Sequence, residues 1–562
     1  MADDYTIRTA IFIARSPQDV FDFVTTPANW PKFWPLTIRV DGDTAAPLAL
    51  GAQCVEHVWV GPWRGRFAWT ASESAVPERF VLTGEAITED LPKEMLALLR
   101  DVPCRIEYTI TPQDGGTHFE RVMTYPIEGW QGWLGQRLGF GTEIARLIDE
   151  ALAAAKSWLE NPLLAAPAAK VDAPELIGRA DPLADQAVAS LVGAGGDLGR
   201  LEGFLGMLYR GDVAAAADAP TPQVERFFKE TSNLPAWADA SRIRIAERLF
   251  IDWGTLVYAS LVCAALPETY AFPSLARLLD GTGGLDLSAA YVRRRLNFTM
   301  RMVFDIMNQG GLQAGGRGML AVQRIRIIHA VIRLMVQRKF ETTSRLSELS
   351  TVLRPETDGL PINQAELLYT LMTFSHVVLR SFERFGVVLT PFEQESYVHT
   401  WNVVGSRLGI EDALLPHDVE DARRTFDQLH AAYAGPTDAG ARLAAALGPY
   451  WESHLFVVPH TVALSLMNHV MTELLDPATC HWLRLDELPR LPSLADHLLS
   501  GIEHVRSRML SNMFGDFSDT GRAAALLMSF LANIGTDREE DLTGLGGILT
   551  KLSQNTVMPV VS

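Results

Sequence analysis

The sequence predicts two domains of different class: an N-terminal α+β domain, in which an antiparallel sheet wraps on one long helix, and a C-terminal all-α domain. Three observations carry this. The chain has 562 residues, and single domains run to roughly 250. Apolar residues alternate with a period of two up to about residue 160 and recur with helical period from about residue 190. Between them lies an Ala/Pro-rich stretch, NPLLAAPAAKVDAPELIGRADP, that reads as an interdomain linker. The expected boundaries are 1–160, a linker over 161–190, a helical domain over 191–535 and a tail over 536–562.

The first domain opens on Tyr5 to Ile13, whose alternation reads as a strand. Ser16-Pro17-Gln18-Asp19 then combines an N-cap serine, a proline at the first helical position and an acid in the first turn. Trp30 to Pro35 reads as a proline-broken aromatic loop that gates an apolar cavity or packs beneath the sheet. Alternation recurs at Cys54–Trp59, Arg64–Trp69, Phe80–Leu82, Arg105–Ile110 and His118–Tyr125, and an amphipathic helix runs from about Gly132 to Leu159. Glu56 and His57 are adjacent on one strand, face opposite sides and are given no catalytic role.

In the second domain, Thr390-Pro391-Phe392-Glu393 and Asn363-Gln364-Ala365-Glu366 are helix starts with a glutamate three residues past the cap. His376, Arg380 and Arg384 fall on one face of the helix that begins at Asn363. Trp253 to Leu266 is apolar but short of the ~20 residues of a membrane span, and reads as a buried helix. The segment Gly310 to Gly318 contains Gly316-x-Gly318-x-x-Ala321, but no strand precedes it, so a tight turn allowing close backbone approach is expected rather than a dinucleotide site.

Composition narrows the function. With 49 Lys and Arg against 67 Asp and Glu, the net charge is −18, which excludes a general nucleic-acid binder and disfavours docking on anionic lipid by charge alone. Cys54, Cys104, Cys263 and Cys480 are far apart and form no C-x-x-C pair, so neither a zinc ribbon nor a disulfide framework is expected. The acidic start MADDYTIRT is no signal peptide, and a reducing, cytoplasmic location is expected. His399 lies four residues after Glu395, which is not the Glu-x-x-His of di-iron bundles, and no H-E-x-x-H occurs.

The run IFIARSPQDVFDFVTTPANWPKFWP resembles the polyketide cyclase/dehydrase branch of the START-like (SRPBCC) superfamily. The resemblance covers about residues 1–160 and implies a helix-grip fold with an apolar ligand cavity. The blocks RRRLNFT (293–299), GGLQAGGRGMLAVQRIRIIHAVIR (310–333), LPINQAELLYTLMTFS (360–375) and LTPFEQESYVHTWNVVGSRLGI (389–410) resemble the rubber-oxygenase family, which includes ER-bound oxygenases. That resemblance covers roughly 195–520. It implies a helical domain that binds haem b through one histidine and uses dioxygen on C=C bonds of apolar chains.

His329 sits in QRIRIIHAVIR, with Arg326 three residues before it and Arg333 four after, all on one helix face. From spacing alone a hydrogen-bonded core histidine is the simpler reading. The resemblance makes His329 the iron ligand, and Arg326 and Arg333 the partners of the haem propionates. It places Arg295 and Thr299, an i, i+4 pair, on the oxygen-binding side, where they would polarise dioxygen. The latex-clearing branch carries a lysine just before the threonine; here that residue is Phe298. The implied function is a haem b-dependent oxygenase acting with dioxygen on a hydrophobic small molecule, isoprenoid-like or polyketide-like. The rivals are a non-catalytic hydrophobic-ligand protein and a haem monooxygenase or peroxidase. Peripheral membrane contact stays open.

Overall fold

The computed structural model describes residues 3–488 apart from 61–62, 88–103, 128–139, 162–172, 193–198, 211–220, 284–288, 339–358 and 449–459. The expected tail over 536–562 lies outside these residues. Strand β1 spans Asp3–Ile13, followed by α1 (Pro17–Thr25) and the short α2 (Trp30–Phe33). Then come β2 (Thr37–Gly42), β3 (Gln53–Val60), β4 (Trp63–Ala75), β5 (Arg79–Ala86), β6 (Cys104–Gln113), β7 (Gly116–Ile127) and α3 (Phe140–Glu160). The strands form one antiparallel sheet in the order β1-β7-β6-β5-β4-β3-β2.

Helix α3 closes the sheet. Ile148, Ala151, Leu152, Ala154 and Ala155 are buried in the same cluster as Phe80, Leu82, Ile106, Tyr108 and Phe119 of the strands. Small residues on this helix face let the backbone lie close to the large strand side chains. Each such large apolar side chain contributes roughly 1.5–3 kcal/mol on full burial. Ser16 caps α1 as expected, its side chain accepting from the Asp19 N–H at 3.2 Å. One expectation is corrected: the aromatic run Trp30–Phe33 is a helical turn. Thr37–Gly42 adds an edge strand that the sequence reading did not include.

The helical domain comprises α4 (Ala173–Leu176), α5 (Pro182–Leu191), α6 (Gly199–Arg210), α7 (Pro222–Thr231), α8 (Ala240–Ser260), α9 (Leu266–Tyr270) and α10 (Pro273–Gly283). It continues with α11 (Ala289–Met307), α12 (Arg317–Arg338), α13 (Gln364–Phe374), α14 (His376–Arg384), α15 (Pro391–Leu408), α16 (Val419–Tyr433), α17 (Asp438–Ala445), α18 (His460–Leu474) and α19 (Pro477–Trp482). The capping boxes at Asn363 and Thr390 form as the sequence predicts. The expected linker is corrected at its C-terminal end: Leu176 belongs to the main helical core, and Ala184, Ala187, Val188 and Leu191 of α5 are fully buried. Alanine and proline here serve close packing rather than a solvated spacer.

The apolar stretch after Trp253 is a buried helix, as expected, but not a straight one. Trp253 has non-helical angles (φ −121°, ψ 15°), and a π-turn over Leu261–Ala265 leads into α9. Among the described residues no single helix is long and apolar enough to cross a membrane; Ala240–Gly254 and Leu256–Tyr270 reach that measure only together, bent by 86°. The two domains pack on each other: Ile245 of α8 and Phe392 of α15 enter the core of the sheet domain, and the Arg242 guanidinium lies 5.0 Å over the Trp158 ring.

Candidate functional site

Helices α11 and α12 form a hairpin whose turn explains the glycine segment. A β-carbon on Gly311 would lie 2.1 Å from the Asp305 carbonyl oxygen, and one on Gly318 would lie 2.6 Å from the Ile306 Cα. Only glycine allows this approach. The Met319 N–H donates to the Gly311 carbonyl at 3.0 Å, and the Gly310 N–H donates to Glu247 Oε1 of α8 at 2.9 Å. The turn is therefore anchored at both ends. Thr299, two turns before Ile306, and His329, three turns after Gly318, come from the two arms of this hairpin.

His329 is half-buried as a residue, whereas its Nδ1 is sealed from solvent and has no hydrogen-bond partner. Burial, and then the neighbouring Arg333 charge, hold its imidazole down to about 3, against a smaller opposing pull from Asp181. The ring is thus neutral at physiological pH with one enclosed nitrogen unused. A metal-binding imidazole needs that protonation state. A core histidine would instead be hydrogen-bonded, since an unsatisfied buried polar atom costs about 1–3 kcal/mol. On this observation His329 fits the iron-ligand position.

The two arginines lie on the His329 helix as expected, and each is ion-paired. Arg326 donates to both oxygens of Asp181, from Nε at 2.6 Å and Nη2 at 2.9 Å, and from Nη1 to the Arg407 carbonyl at 3.0 Å. Arg333 donates from Nε to Asp185 at 2.8 Å and from Nη1 to the Ile362 carbonyl at 3.1 Å, leaving Nη2 buried without a partner. Asp181 and Asp185 are one turn apart on α5 and its cap, so two ion pairs tie α12 to α5. Both guanidiniums thus have a carboxylate partner within the protein, and the Arg333 Nη2 is left over.

Thr299 lies half-buried on α11. Arg295 falls on the same helix, with its side chain outside what the structure describes. His376, Arg380 and Arg384 do share one helix at i, i+4 spacing, but it is α14: the helix from Asn363 ends at Phe374 and Ser375 breaks it. Arg380 Nη2 donates to Glu268 Oε1 at 2.5 Å, and Arg384 Nη2 donates to Asp476 at 3.0 Å. Glu268 is fully buried, and Tyr369 Oη lies 3.1 Å from His430 Nδ1 beside it. This network escaped the sequence reading because its members come from α9, α13, α14 and α16.

His399 is likewise drawn into a network at the domain boundary. The Asp239 N–H donates to its Nε2 at 2.8 Å. Burial and the Arg242 charge hold this imidazole down to about 3, while burial pushes the Glu395 carboxyl up to about 7. In the sheet domain, Glu56 is buried and not idle: Thr37 Oγ1 and Trp69 Nε1 donate to its two oxygens at 2.5 and 2.7 Å. The signal was present in the sequence, since Cys54, Glu56 and Val58 share the buried face of an alternating strand.

Comparison with known proteins gives two family matches. Residues 247–501 match the family described as ER-bound oxygenase mpaB/B'/Rubber oxygenase, catalytic domain. Residues 5–160 match the family described as Polyketide cyclase / dehydrase and lipid transport. Both resemblances read from sequence blocks are therefore shown, and so is the two-domain fold class. A rubber oxygenase of Streptomyces sp. (strain K30) is 24% identical over 288 residues, covering 51% of this chain and 66% of that protein, just under two thirds of its length. Among solved structures, latex clearing protein in the closed state is 17% identical, covering 66% of this chain and 93% of that one with a TM-score of 0.46. A protein of Chromobacterium violaceum is 17% identical, covering 28% of this chain and 96% of that one with a TM-score of 0.20. The oxygenase match contains His329, Thr299 and both arginines, whereas Asp181 and Asp185 lie outside it.

Proposed function

We propose that this chain is a haem b-dependent oxygenase that uses dioxygen on an apolar, unsaturated substrate, isoprenoid-like or polyketide-like. The observation that carries the reading is His329: a neutral, partly enclosed imidazole with an unused buried nitrogen, inside the segment that matches the oxygenase family. The rubber oxygenase match supports the substrate class.

In this reading His329 holds the haem iron, and haem, when bound, supplies the centre at which dioxygen is activated. The protein's own residues do the rest. The Gly311–Gly318 crossing fixes α12 against α11. The Arg326–Asp181 and Arg333–Asp185 pairs fix α12 against α5, so the imidazole keeps one orientation. Thr299 and Arg295 on α11 provide donors for the oxygen side. The buried faces of Leu296, Met300 and Val303 on α11 keep that helix dry on its core side. The sheet domain binds the hydrophobic ligand or presents it, and the protein works in the cytoplasm.

The test is the absorption spectrum of the purified chain, wild type beside His329→Ala, before and after reduction and carbon monoxide. A Soret band that is lost or shifted in the variant, with oxygen consumed on an apolar alkene, is the expected outcome. A chain with no Soret band after haem reconstitution is not a haem oxygenase.

A further inference from the structure

The sheet domain contains a buried cation without a counter-ion. Arg121 sits on β7 opposite Tyr108 of β6, and it is only 5% exposed. Its Nη1 is sealed from solvent and makes no hydrogen bond. Its guanidinium lies 4.6 Å over the Trp34 ring. No carboxylate among the described residues stands within ion-pair distance of it. Glu56, the acid that feels its charge, already has each oxygen engaged by Thr37 or Trp69. Burying a charge without a partner is costly enough that buried guanidiniums are normally paired.

Arg121 lines a cavity. Its walls are Leu82, Ile106, Phe119 and Leu152, with Trp30 and Trp34 on one side. The polar groups at the wall are Glu56, Arg121 and Tyr108, together with the Trp69 indole. The enclosed space is about 30 Å³, enough for a group of the size of one or two waters. It therefore holds the head of a ligand, not its whole length. Trp30 and Phe33 are buried, whereas Trp34, the ring that stacks on Arg121, is half-buried.

We propose that the interior of the sheet domain binds an apolar molecule ending in a carboxylate, with Arg121 receiving the carboxylate and Trp34 closing beside it. A neutral carbonyl in the same place would leave the guanidinium charge uncompensated. Burial raises the Glu56 carboxyl, opposed by the Thr37 and Trp69 hydrogen bonds and by Arg121, and with both its oxygens taken by Thr37 and Trp69 it makes no ion pair with the guanidinium. The inference rests on reading this domain as a hydrophobic-ligand domain and stands apart from the haem reading of the helices.

The experiment is a fluorescence titration of the full chain with a dansyl-tagged undecanoate and with its methyl ester. The wild type is expected to prefer the acid roughly tenfold or more, the worth of a charge-assisted hydrogen bond. Arg121→Met and Arg121→Gln are expected to bind acid and ester alike, at the level of the ester. His329→Ala is expected to keep the preference, so loss of haem and loss of this site give different results. A wild type that binds neither probe, or binds both equally, overturns the proposal, as does a folded Arg121 variant that still prefers the acid. Should neither variant fold, the wild-type ratio decides, together with its loss once acid pH protonates the probe.

Discussion

Arg326 of α12 and Asp181 at the start of α5 form a bidentate ion pair, at 2.6 and 2.9 Å, with both side chains less than a tenth exposed. They are 145 residues apart in sequence. Asp181 also accepts from the Ala184 N–H at 3.4 Å, so one carboxylate caps α5 and holds α12. Removing one partner of such a pair strands the other charge. Asp181→Asn or Arg326→Met is therefore expected to destabilise the chain by about 3–5 kcal/mol. Replacing both by apolar residues should cost clearly less than the two single losses together. Urea unfolding of the two singles and the double checks this, and additive losses would contradict it.

Gly318→Ala tests the helix crossing. The new methyl would meet the Ile306 Cα and the Asp305 carbonyl oxygen at under 3 Å, and backbone cannot rotate away as a side chain would. Overpacking of this kind costs about 1–3 kcal/mol. Because His329 rides on the same helix, the variant is also expected to retain less haem than wild type. Gly203→Ala, which meets nothing within 4 Å, is the control and should leave both thermal midpoint and haem content unchanged.

The domain boundary carries two opposed pH dependences. His399 has a folded pKa of about 3, below its ordinary 6.5. The unfolded chain takes up its proton first, so this contribution to stability is complete above pH 6.5 and is lost as pH falls towards 3. Glu395 is raised from 4.5 to about 7. Its protonated form carries stability that is present below pH 4.5 and lost as pH rises to about 7. His399→Gln should flatten the acid-side decline, and Glu395→Gln the decline between pH 4.5 and 7. Urea midpoints measured across pH 3 to 8 report both; curves parallel to wild type would dismiss the assignment.

Thr299→Val separates binding from chemistry in the proposed reaction. Loss of one positioned donor costs roughly 10²-fold in turnover, whereas the Soret band should stay at its wild-type position. Oxygen uptake on an apolar alkene, measured beside haem content, decides. Unchanged turnover would remove Thr299 from the oxygen side.

Much of this was legible along the chain because it is local. The Ser16, Asn363 and Thr390 caps, the alternation of β3 and β6, and the glycine crossing before α12 depend on residues a few positions apart. The sequence by itself determined the two fold classes and the position of His329 on a helix beside two arginines. It did not determine what those arginines hold, because their partners lie on a stretch that its Ala and Pro content marks as linker. Nor did it reveal Arg121 as a buried cation, since strand alternation assigns a face but not a counter-ion. Burial and partner choice were decided only when distant elements packed, because the cost of an unpaired charge depends on what surrounds it in space.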